Sequence, residues 1–95
     1  MATDPAVLAA IRSAVEAQPA NVALRLHLAG LLVDGGSAAE AVEHCATALA
    51  SEPDNVDALR LAARAATAAG DGGRAARFQR LADALGQALG PPPVG

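Results

Sequence analysis

The chain has 95 residues, enough for one domain; 53% of them are apolar, but only 1% are aromatic. Alanine-rich, aromatic-poor composition suits helices and argues against a β-sandwich. A net charge of -3 with a pI near 5.1 lacks the basic surplus of a general nucleic-acid binder.

The punctuation of the chain predicts five helices. Asp4 before Pro5 reads as an N-cap followed by proline at the first helical position, opening a helix over 5–17. Pro19–Asn21 is a turn, and Asn21 caps a second helix over 22–34. Gly35 or Gly36 supplies the left-handed residue that ends it. Ser37-Ala38-Ala39-Glu40 has the spacing of a capping box and starts a third helix over 38–51. Pro53–Asn55 repeats the turn, Asn55 caps a helix over 56–69, and Gly70 ends it. A last helix covers about 73–88, and Gly90–Pro93 stops it, leaving an extended tail or linker over 90–95.

The turns recur with a period of 34 residues: Pro19 maps to Pro53, Asn21 to Asn55, Ala29 to Ala63, Gly36 to Gly70, Ala41 to Ala75 and Ala48 to Ala82. Small residues recur where two helices must approach, and glycine recurs in the short turn. Residues 21–55 carry Leu28-Ala29, Leu32, Gly36, Ala41, Cys45, Ala48 and Pro53; residues 56–89 carry Leu59, Ala62-Ala63, Ala66, Gly70, Ala75, Phe78 and Ala82, with Gln87 in place of the final proline. On these residues the chain resembles the tetratricopeptide repeat family. Residues 5–20 match only the second helix of a unit, after a tail at 1–4. The resemblance implies an all-α, tetratricopeptide-like α-α superhelix of about two and a half hairpins.

Spacing assigns the faces. Leu24, Leu28, Leu31 and Leu32 share one face of their helix, turned to the core. A second face carries Ala23, Leu26, Gly30 and Val33, and its equivalent 34 residues on carries Asp57, Arg60, Arg64 and Thr67. The resemblance implies that these two faces line a concave groove for a partner protein or peptide. Arg60 and Arg64, one turn apart, suit an acidic partner; pairing with Asp57 along the helix is the alternative. The lysine/asparagine clamp of chaperone-binding members is not matched, because Leu26 and Gly30 stand in its places and the chain has no lysine. The charge is uneven: residues 1–57 hold eight acids and two arginines, residues 58–95 five arginines and two acids. That points to an interaction surface or to a solvated face on each half.

No catalytic residue, cofactor site or metal site is expected. Gly70-Asp71-Gly72-Gly73 lacks the lysine and spacing of a phosphate loop. Glu40 and His44 share a face but want a third ligand, and Cys45 sits at a packing position with no base beside it. Phe78, Leu81, Leu85 and Leu89 form an apolar stripe on the last helix. Two and a half units fall short of the three that usually make a stable stack, so a second copy, a partner or further chain is expected to cover the stripe; packing of half of it on helix 56–69, with the rest left exposed, is the alternative.

The expected work is therefore protein–protein interaction rather than catalysis, with no nucleic-acid or membrane partner. No apolar run reaches the ~18 residues that span a bilayer, and Met1–Asp4 lacks a basic leader. One cysteine makes no internal disulfide and is compatible with a cytoplasmic setting. Two alternatives remain. One is a homodimerisation module using the Phe78–Leu89 stripe. The other rests on the layout and on segments such as Leu24-Arg25-Leu26-His27-Leu28-Ala29 and Ala41-Val42-Glu43-His44-Cys45: in these the chain also resembles the amino-terminal recruiting module of larger AAA-type ATPases in GC-rich bacteria.

Overall fold

The computed structural model describes residues 4–88. Leu89 and the 90–95 segment, together with residues 1–3, lie outside them. Among the described residues the fold is all-α, with five helices: α1 (Pro5–Ala17), α2 (Val22–Asp34), α3 (Ala38–Ser51), α4 (Val56–Ala68) and α5 (Gly72–Ala88). None of them is long and apolar enough to cross a membrane.

The caps explain the boundaries. Asp4 accepts from the Ala6 amide at 2.8 Å, with Pro5 behind it in the first turn. Asn21 accepts from Leu24 N at 3.0 Å, and Asn55 does the same from Ala58 N at 3.0 Å. Each asparagine also donates from Nδ2 three residues back, to Gln18 at 3.1 Å and to Glu52 at 3.0 Å. The α2 and α4 C-termini close identically. Gly36 and Gly70 take φ values of +86° and +82°, which glycine tolerates best. Ser37 N donates to Leu32 O at 2.7 Å and Asp71 N to Ala66 O at 2.8 Å, the outer bond of a Schellman closure.

The capping box expected at Ser37 does not form. Ser37 occupies the N-cap position but its hydroxyl makes no capping bond. The Glu40 carboxylate is instead held by both terminal nitrogens of Arg12 on α1. A two-pronged guanidinium–carboxylate bond outcompetes a single bond to a backbone amide.

Successive helices pack antiparallel as hairpins, and α2 also packs directly on α4, whereas the backbones of α1 and α3, and of α3 and α5, stay further apart. The inner helices α2 and α4 are thus adjacent rods, with α1, α3 and α5 outside. The radius of gyration is 14.0 Å, against roughly 12 Å for a compact chain of this length.

Alanine makes the close spacing possible. Ala29, Ala41, Ala62, Ala65 and Ala66 are buried at the helix crossings, and Val15, Leu28, Leu32, Val42 and Cys45 fill the gaps between them. No polar or charged residue is buried among the described residues, so the core has no desolvation debt to offset.

Candidate functional site: the trough between α2 and α4

The two inner helices leave an open cleft of about 430 Å³ between them. From the sequence-assigned set, Leu26 and Gly30 of α2 and Asp57, Arg60 and Arg64 of α4 line it. Val33 and Thr67 do not. They line a neighbouring cleft of about 520 Å³, with Ala63, Ala68 and α5 residues Ala75, Ala76 and Gln79. Arg64 borders both. Ala23 is exposed and lines neither.

Four residues of the trough escaped the sequence reading: His27, Leu31, Asp34 and Leu61. His27 and Leu61 are 34 residues apart and so hold the same repeat position, as do Leu26 with Arg60 and Gly30 with Arg64. That recurrence was the signal available. The extra members without such a counterpart, Leu31 and Asp34 on α2, follow from skew. The cleft runs from the carboxyl half of α2 to the amino half of α4. Leu31 therefore forms part of the wall and is only half-buried, rather than facing the core with Leu28 and Leu32.

The electrostatics are mixed. Arg64 Nη2 reaches across to Asp34 Oδ1 at 3.9 Å, and both side chains stay largely in solvent. The alternative pairing with Asp57 along α4 does not form among the described residues. Arg60 leans toward the far end of α5, its Nη2 lying 3.7 Å from the point where a Gly86 Cβ would stand. Screening leaves the loose Asp34–Arg64 pair little worth, so Arg64 is readily claimed by another carboxylate.

Gly30 sits in the middle of α2. A Cβ built on it would meet nothing within 4 Å. No neighbouring helix forces this glycine, although it costs a helix interior about 0.5–1 kcal/mol relative to alanine. What its missing side chain provides is access: the α2 backbone is bare at the floor of the trough.

The other chemistry-bearing residues serve packing. Cys45 is fully buried, and burial pushes its thiol up to about 11, so it stays protonated near neutrality. His44 Nδ1 lies 3.1 Å from Arg25 Nη1, which can only donate. The other ring nitrogen, Nε2, faces Glu40 at 3.5 Å. Arg25 also donates to Pro19 O at 3.1 Å. Arg12, Glu40, His44 and Arg25 thus tie α1, α2 and α3 together. Among the described residues no three metal-ligating side chains gather.

On the last helix, Phe78 packs against the core, Leu85 is half-buried and Leu81 is 53% exposed. The expected stripe is thus split. Its fourth member, Leu89, lies outside the described residues.

No protein-family model matches the chain, and no curated protein matches its sequence.

Proposed function

We propose that the chain is a non-catalytic interaction module of the tetratricopeptide type, holding a segment of a partner protein in the trough between α2 and α4. Gly30 carries the reading. A mid-helix glycine with open space above it has no packing reason, and it stands where a bound chain would need close approach to the backbone. Leu26, Leu31 and Leu61 offer apolar contact around that floor, and Arg60 and Arg64 offer guanidinium groups along one rim. A carboxylate of the partner displaces Asp34 from Arg64, while Asp34 and Asp57 disfavour a second acid nearby. The preferred segment therefore alternates acidic and apolar residues. A lone buried thiol is compatible with work in the reducing cytoplasm.

The test is affinity capture of partners with the parent chain, with Gly30→Leu and with the Arg60→Glu/Arg64→Glu double change. Partners held by the parent should be lost by both variants, and binding should weaken as salt rises. Partners retained by both variants would remove the trough from consideration.

A further inference from the structure

On α5, away from the trough, Arg74, Arg77, Phe78 and Leu81 surround a shallow hollow of about 210 Å³. The Arg74 guanidinium lies 5.7 Å from the centre of the Phe78 ring and 4.0 Å from Glu43 of α3. Among the described residues no carboxylate reaches Arg77 within 4.0 Å. Leu81, at 53%, is one of two large apolar side chains exposed in the described structure.

The 34-residue frame shows how unusual this face is. On α3 the same four positions hold Glu40, Glu43, His44 and Thr47. All four are polar, and Glu40 and His44 are engaged by Arg12 and Arg25. On α5 both acids have become arginines, and the two other positions have become Phe and Leu. The reversal turns a satisfied polar face into a cationic rim around an apolar floor. Packing accounts for Phe78, which rests on the core, but not for Leu81, where Thr47 suffices on α3.

From this juxtaposition we infer a second docking surface, for an acidic protein segment that inserts a large apolar side chain between Phe78 and Leu81 and sets flanking carboxylates on Arg74 and Arg77. Charge selects this occupant. The floor supplies apolar contact, and the two guanidinium groups favour carboxylates and repel a basic segment. Arg74 contributes by leaving Glu43, whose 4.0 Å contact is long for an ion pair. The surface does not depend on the trough, because no residue lines both.

The experiment uses the whole chain and fluorescence anisotropy. The probe is a fluorescein-labelled synthetic peptide with a central Leu-Phe pair flanked by glutamates, beside a counterpart flanked by lysines. The acidic peptide should bind and the basic one should not. Leu81→Ser and Arg77→Gln should each weaken binding about tenfold; both side chains are exposed, so the thermal melt should be unchanged. The Arg60→Gln/Arg64→Gln change should leave binding intact. Equal binding by parent, Leu81→Ser and Arg77→Gln overturns the proposal, as does absence of acidic-peptide binding. Loss of binding only in the Arg60/Arg64 variant would also overturn it and assign the peptide to the trough. Light scattering that finds a dimer abolished by Leu81→Ser would overturn it in favour of a second copy on this face.

Discussion

Single alanines decide how closely the helices approach. Ala41 is fully buried at the α2–α3 crossing, whereas Ala39 points to solvent. Ala41→Leu should destabilise by about 1–3 kcal/mol, read as a lower denaturation midpoint, while Ala39→Leu should shift it by less than about 0.5 kcal/mol. Gly30 should behave in the opposite sense. With nothing within 4 Å of its Cβ position, Gly30→Ala should stabilise by about 0.5–1 kcal/mol. A larger side chain there should obstruct the trough without unfolding α2. Cys45 gives a pH test. Its thiol is raised from 9.0 to about 11 in the folded chain by burial. The stability this contributes is complete below pH 9, where neither state ionises, and is lost as pH rises from there to about 11. Denaturation midpoints should fall across that window, and Cys45→Ala should flatten the fall.

At the level of elements, α1 is held least firmly. Val15 is its one buried residue, and its backbone stays clear of α3. The link to α3 runs through side chains, Arg12 on Glu40. The Arg12 hydrogen bond holds the Glu40 carboxyl below its ordinary range, against a smaller opposing effect of desolvation. Sign follows from that direction. The stabilisation is present above the ordinary carboxylate range and is lost as pH falls through the lowered folded value. Amide exchange in α1 should therefore accelerate in acid before exchange in α4 does, and Glu40→Gln should bring the same acceleration to neutral pH. Equal protection of α1 in Glu40→Gln and the parent would show that the apolar packing of Leu8, Ile11 and Val15 holds the helix without the ion pair. The same ion pair marks where local reading of the chain reaches its limit. Asp4, Asn21, Asn55, Gly36 and Gly70 act within a turn of themselves, so their roles were legible, and helix boundaries followed to within a residue. Glu40 was claimed by a partner 28 positions away, which no local spacing reveals. The trough was half legible for a related reason. Positions 26/60 and 30/64 declare themselves by repetition, but Leu31 and Asp34 enter through the skew between two rods.

Over the whole molecule, α1 and α3 share a covered face at repeat-equivalent positions. On α1 that face is Leu8, Ile11, Arg12 and Val15, and on α3 it is Val42, Cys45, Ala46 and Leu49; all eight are buried or half-buried. On α5 the frame assigns Ala76, Gln79, Arg80 and Asp83, and all four are exposed. Gln79 donates to Asp83 at 2.9 Å, so the face satisfies itself in water. Polar outer faces are how helical stacks keep their ends from propagating. The expectation that the last helix awaits cover is thereby narrowed: Leu81 sticks out on a different side, and the face where another hairpin would stack is already polar. If polarity blocks stacking there, restoring an apolar surface should release it. Gln79→Leu/Asp83→Leu rebuilds a row like Val42, Cys45 and Leu49 beside the cleft formed by Val33, Thr67 and Ala68. The double variant should associate increasingly with concentration, measured by light scattering, while its helix content stays that of the parent. Ser13→Leu/Ala17→Leu, which adds two leucines at the same spacing on the exposed side of α1, should produce less association. Equal association by the two variants would mean that added apolar area alone drives it, and that the α4–α5 end has no special readiness to stack.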